Sequence, residues 1–202
     1  MTAPSAAAPA FAPSHPDSRL AADWLFLHAQ VPPAKWPALP SFGAAASWLG
    51  MHASLRKGQG ELEQLSRDYL AQRLDWRDYR QRLLQVAALH YSHLHGHHRN
   101  EDVHAFPRLR QLQPRLARGF ELLDADHGHI EQQIRRIQDL LADLRQRPDN
   151  APDAALAARL DDALRDGSRW LYLHLMDEED LVIPVLALES EPWRANTASP
   201  LI

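Results

Sequence analysis

The chain has 202 residues, 45% of them hydrophobic, and carries 22 Lys and Arg against 26 Asp and Glu for a net charge of −4. That length suits one domain, or at most two small ones, with ample material for a core. Arginines dispersed among acids give no basic block for nucleic acid, and the absence of cysteine excludes disulfides, thiolate metal sites, iron–sulfur clusters and cysteine nucleophiles.

Leu and Ala dominate while Gly and β-branched residues are few, so the expected class is all-α. Residues 1 to about 18 are Ala/Pro-rich and read as disordered. They lack both the basic lead and the continuous apolar core of a signal peptide, and no apolar run is long enough to span a bilayer; a cytoplasmic protein is expected, with no membrane partner. Asp23 to His28 is a short apolar burst, read as a segment covering one end of a bundle or, alternatively, docking a protein partner. Pro32, Pro33, Pro37 and Pro40 then forbid a long helix. The division is therefore a flexible segment over 1–40, a helical domain over 41–190 and a loose tail over 191–202.

Ser41 is the candidate N-cap of a first long helix over about 42–73, with Trp48, Leu49, His52, Leu55, Leu62 and Leu65 on its buried side and a bend allowed at Gly58 and Gly60. Asp75 caps a second, about 76–112, whose inward residues are Leu83, Val86, His90, Leu94, His97, Glu101 and Ala105; Pro107 predicts a kink or break. Pro114 opens a third, about 114–146, striped by Leu116, Phe120, Leu123, His127, Ile130, Ile134, Ile137 and Leu141. Asp153 caps the fourth, about 154–189, with Leu160, Leu164, Gly167, Trp170, Leu171, His174, Leu181 and Val185 inside. Four amphipathic helices on short connections predict an up-down-up-down four-helix bundle.

The chemistry lies in a repeated pattern. Aligning His97 on His174 places Glu101 on Glu178, Asp102 on Glu179 and Pro107 on Pro184. Residues four apart share one helix face, about 40° apart in projection, so each segment can offer an imidazole and a carboxylate to one metal. Each predicted helix has a histidine near its middle on the apolar stripe: His52, His97, His127 and His174. One such histidine would be an ordinary core residue, but burying Glu101 and Glu178 costs several kcal/mol each without a compensating charge. A metal cation supplies it, the alternative being Arg or protonated-His partners in several buried salt bridges of one layer; without thiolates the donors are imidazole and carboxylate, which suit iron, manganese or zinc. His90, His93 and His104 project within about 40° of His97 as access-path or neighbouring groups, with His93 the alternative fifth ligand. His15, His28, His95, His98 and His129 read as solvated, and Asp102, Asp126, Asp177 and Glu179 as acids beside the site. No phosphate loop or Ser-His-Asp arrangement competes.

The order His, His-x-x-x-Glu, His, His-x-x-x-Glu-Glu, with its Phe106-Pro107 and Ile183-Pro184 endings, resembles the hemerythrin-like (HHE cation-binding) domain over roughly residues 40 to 190. The Glu-x-x-His spacing of ferritin-like bundles does not match. The resemblance implies two non-haem iron ions with an oxo or hydroxo bridge, Glu101 and Glu178 bridging, and His52, His97, His127 and His174 as terminal ligands. Oxygen carriers of the family have a further histidine one turn after that of the third helix, where this chain has Glu131. Glu131 is thus expected as a third carboxylate ligand or a close neighbour of one, the alternative being a surface glutamate. As an anionic ligand it would favour ferric iron and oxidative or peroxide chemistry. The implied function is binding of, or reaction with, O2, peroxide or nitric oxide at an open iron position, with enzymatic turnover and simple binding both open. The alternative is an iron- or redox-sensing module acting through a protein partner.

Overall fold

A computed structural model describes residues 11–189. Among them there is no strand; the architecture is all-helical, with five α-helices: α1 (Ala44–Leu70), α2 (Trp76–Asn100), α3 (Phe106–Leu112), α4 (Ala117–Gln146) and α5 (Ala154–Leu188). Asp75 and Asp153 cap α2 and α5 as expected, accepting from Asp78 N at 2.8 Å and Leu156 N at 2.9 Å. Ser41 does not cap α1. Gly43 occupies that position in extended backbone without a side-chain bond, because Gly43 N closes a turn onto Pro40 O and delays the helix.

α1 runs through Gly58 and Gly60 as one helix. Gly58 serves packing instead: a Cβ there would lie 2.6 Å from His90 Nδ1, so the missing side chain admits His90 between α1 and α2. The predicted second helix breaks, as Pro107 demands. α2 passes into a π turn, Glu101–Ala105, before α3. Pro107 has no N–H and its ring would strike the Val103 carbonyl of a regular helix; one extra residue in the turn relieves that clash. A 3-10 turn, Pro114–Leu116, then leads into α4.

Across neighbouring helices, contacts pair rising with falling residue numbers. Ser66 meets Tyr79 and Gln59 meets His90 between α1 and α2, Arg56 meets Tyr172 between α1 and α5, and Arg136 meets Asp166 between α4 and α5. Two apolar clusters result, one built on Leu55, Leu62, Tyr79, Leu83, Ile137 and Leu160, the other on Leu25, Trp48, Phe106, Phe120, Val182 and Leu186. The polar histidine layer lies between them.

The described part of the segment before α1, residues 11–43, is packed, where the sequence predicts flexibility over 1–40. Two 3-10 turns, Ala22–Ala29 and Pro33–Ala38, lie ahead of α1, and Leu20, Leu25 and Leu27 are buried in the second cluster. Trp24 and Phe26 pack against the same cluster, with the Arg115 guanidinium 3.8 Å from the Phe26 ring centre. The burst covers this end of the bundle, as one of its two readings expected. α5 is consequently enclosed on every side from Asp177 to Leu186. The expected tail over 191–202 and residues 1–10 lie outside the described residues. No helix is long and apolar enough to cross a membrane among those described.

Candidate metal centre

Five elements carry the buried histidines and carboxylates to one layer. α1 brings His52, α2 His97 and His98, the π turn Glu101, α4 His127 and α5 His174 and Glu178. The i,i+4 pairs meet as the spacing requires: His97 Nε2 is 2.9 Å from Glu101 Oε1, and His174 Nε2 is 3.2 Å from Glu178 Oε2.

Two sets of potential ligand atoms form, each within 4.8 Å of one another: His52, His97, Glu101 and Glu178, and His98, Glu101, His127 and His174. Glu101 belongs to both. Its Oε1 faces His97, while its Oε2 lies 3.4 Å from His127 Nε2. Glu178 spans the gap likewise, with Oε1 3.3 Å from His52 Nε2 and Oε2 toward His174. Each carboxylate therefore divides its oxygens between the imidazoles of one set and those of the other. His52 Nε2, His97 Nε2, His98 Nε2, both Glu101 oxygens and Glu178 Oε2 are buried and lack a properly directed hydrogen bond. Several lie at ion-pair distances without hydrogen-bond direction, which suits atoms sharing a cation.

A second ring of acids faces the far sides of the imidazoles. Glu179 Oε1 is hydrogen-bonded to His52 Nδ1 at 2.9 Å and Asp102 Oδ1 to His127 Nδ1 at 2.7 Å, while Asp126 Oδ2 stands 3.6 Å from His174 Nδ1, at ion-pair range without a hydrogen bond. An acid on Nδ1 orients the ring and leaves Nε2 as the ligand atom. Trp48 Nε1 donates to Glu178 Oε1 at 2.6 Å, fixing that carboxylate.

The electrostatics follow from this arrangement. Burial alone would lower the His52 pKa, but Glu178 and Glu179 outweigh it and raise it to about 9. At His127 burial is likewise overcome, by Asp102 and Glu101, and the value rises to about 10. Burial opposes ionisation of Glu178, yet His52 and His174 hold it well below the usual carboxylate range. Asp126 falls to about 2 against its burial, under His174 and Arg19. At His98 burial, then His127 and His174, outweigh Glu178 and push the pKa well below 6.5.

Of the residues expected at the site, His52, His97, Glu101, His127, His174 and Glu178 are brought together. Glu131 is not. It is part-exposed on α4, 3.7 Å from Arg135 Nη1 and 3.8 Å from His95 Nδ1, and joins neither set. His98, and not Glu131 or His93, joins the layer: it is buried, stacked on His127 with ring centres 4.1 Å apart, and its ring lies 5.5 Å from that of His174. His93 and His104 are exposed, and His90 is buried away from the layer on Gln59, where burial lowers its pKa to about 4. The signal for His98 was present: it lies four residues after Leu94 and seven after Tyr91, both apolar and both buried, so the apolar face of α2 is wide enough to include it.

His15 and His28, expected in solvent, are buried, on Asp177 at 2.9 Å and the Asp180 carbonyl at 3.0 Å. Asp177 and Asp180 are buried with them. His95 and His129 are exposed as expected, the latter stacked on Trp170.

Two clefts approach the layer. One of about 280 Å³, mostly apolar, lies between α1 and α2 and ends on Trp48 and His97, with Gly96 in its wall. The other, about 590 Å³, is lined by Asp102, Asp124, Glu131, His98 and His127.

The family model described as the hemerythrin HHE cation binding domain matches residues 44–186, from the start of α1 to the last turn of α5. No curated protein gives a significant match, and no solved structure does so. With both halves of the repeated motif inside that span and its histidines and glutamates gathered in one buried layer, the chain belongs to the hemerythrin HHE cation-binding family.

Proposed function

We propose that the protein is a non-haem di-iron protein that binds a small ligand such as O2, nitric oxide or peroxide. The carrying observation is the division of the Glu101 and Glu178 oxygens between two imidazole sets. In this reading His52 and His97 hold one ion, His98, His127 and His174 hold the other, and the two glutamates are shared. The opposed numbering of helix contacts supports an up-down-up-down bundle formed by α1, α2, α4 and α5.

An iron pair, when bound, supplies reversible one-electron chemistry and an open position for a small ligand. The chain's own residues orient the imidazoles, exclude bulk water and neutralise the added charge. In this reading His98, and not Glu131, is the further ligand. A neutral nitrogen donor in place of an anionic oxygen supports the ferrous state relative to the ferric one, which favours ligand binding over peroxide turnover. The approach through an apolar cleft to Trp48 and His97 suits a small neutral molecule.

The test is anaerobic iron loading followed by metal analysis and visible spectra before and after air. Two irons per chain, with a spectrum that appears in air and reverses on removing O2, is the expected result. An irreversible spectrum would move the reading to oxidative chemistry. No iron uptake, or zinc alone without spectral response, would overturn it.

A further inference from the structure

The family-matched span begins at residue 44, yet the ring of acids around the histidines is completed from outside it. Arg19 donates from Nη1 to Asp126 Oδ1 at 2.6 Å and from Nη2 to Asp126 Oδ2 at 2.5 Å. Asp126 Oδ2 is the oxygen facing His174 Nδ1 at 3.6 Å. A guanidinium fork that takes both oxygens of a carboxylate fixes its plane as well as its charge. Asp126 is 1% exposed, so without the fork a buried carboxylate would have only His174 to hold it.

Arg19 is itself held in place. Its Nη2 donates to Asp177 Oδ2 at 3.1 Å, and its guanidinium lies 5.7 Å from the Trp170 ring centre. The surrounding segment is fastened along the acids of α5. Ser18 Oγ donates to Asp177 Oδ1 at 2.6 Å, His15 Nε2 lies 2.9 Å from the same atom, and Ser14 N donates to Asp180 Oδ2 at 2.8 Å. Asp177 and Asp180 flank Glu178 and Glu179, which turn the other way, onto His52 and His174. One helical turn of α5 thus faces the histidine layer with its middle acids and this segment with its outer ones.

We propose that residues 14–28 form a strap that completes the metal centre, with Arg19 as a positioning residue acting on His174 through Asp126. The inference rests on the metal-centre reading above. It adds that the centre extends beyond the family's own span and that a chain starting at α1 would hold its metal loosely.

The test uses the full chain and cobalt(II) as probe, read by its ligand-field bands and by competition with a chelator, together with the melting temperature of the metal-free protein. Arg19→Met is expected to weaken cobalt binding by about tenfold or more and to shift the bands, the scale on which outer partners of metal-bound histidines act. Arg19→Lys, which keeps the charge but not the fork, should recover part of the affinity. In an Asp126→Asn background, Arg19→Met should cost little further, because the path from Arg19 to His174 is already cut. Leu25→Ala, at a strap residue buried in the apolar cluster around Phe106, should lower the metal-free melting temperature while weakening cobalt binding and shifting the bands far less than Arg19→Met does. Arg19→Met that melts lower but binds cobalt with the parent's affinity and bands would reduce the strap to a structural cover and overturn the proposal. Full additivity of Arg19→Met and Asp126→Asn would overturn the relay. If the unaltered chain takes up no cobalt, the metal-centre reading itself falls and takes the strap's role with it.

Discussion

His97 and His98 are neighbours in sequence but point about 100° apart on a helix. His97 meets His52 and Trp48 across the α1 interface, and His98 stacks on His127 across the α4 interface. Adjacent residues can both reach the centre because α2 is flanked on two sides at this level. His98→Leu is therefore expected to alter the visible spectrum of the iron-loaded protein and lower its iron content. Glu131→Ala, at a side chain 35% exposed and paired with Arg135, should change neither. The opposite pattern would restore Glu131 as the ligand. Six of the candidate residues could be read from the sequence because an i,i+4 His-Glu pair and a histidine on an apolar stripe are local patterns. His98 was missed because a single-stripe reading allows a helix one buried face. His15 and His28 were missed because their partners, Asp177 and Asp180, lie more than 150 residues away.

The helices are where the sequence was most legible, and their ends where tertiary contact decided. Asp75 and Asp153 cap as short-range chemistry dictates, and Pro107 marks a real interruption. The π turn could not be seen beforehand, since a proline announces strain without saying whether the chain answers with a kink or an extra residue. Gly96 on α2 permits a test of the apolar cleft. A Cβ there meets nothing within 4 Å, so Gly96→Leu should be tolerated and should favour the helix by about 0.8 kcal/mol. The larger side chain projects from the wall of the cleft that ends on Trp48 and His97. Stopped-flow mixing of the iron-loaded variant with nitric oxide is expected to show slower binding at unchanged iron content. An unchanged rate would shift access to the acidic cleft beside His98.

At the scale of the whole molecule, the metal-free protein stabilises its central layer with charge pairs, and these set its response to pH. His52 and His127 have folded pKa values of about 9 and 10, above the ordinary 6.5, so their contribution is complete below about pH 6.5 and is lost as the pH rises through 9 to 10. His90, at about 4, and His98, well below 6.5, act in the other sense: their contribution is present above 6.5 and lost as the pH falls. Chemical denaturation across pH should therefore show greatest metal-free stability near pH 6.5, with decline on both sides; a flat profile from 5 to 9 would contradict the paired layer. Saturating metal adds to stability because it binds only the folded arrangement. At a hundredfold excess over the dissociation constant the gain is about 2.7 kcal/mol, or roughly 5–10 °C in melting temperature. Glu101→Gln together with Glu178→Gln should abolish that metal-dependent rise.

The histidine layer separates one apolar cluster, around Tyr79 and Leu160, from another, around Phe106 and Val182. Hydrophobic burial gives each cluster its own reason to stay folded, while the layer between them offers mainly charge pairs that solvent and protons can weaken. Metal occupancy should therefore govern cooperativity as well as stability. Without it, amide exchange is expected to report two units that open separately, the Phe106 end opening with its strap; with it, one unit that opens all at once. Loss of the metal is thus expected to show itself as faster proteolysis at one end of the bundle, at a distance from the centre itself.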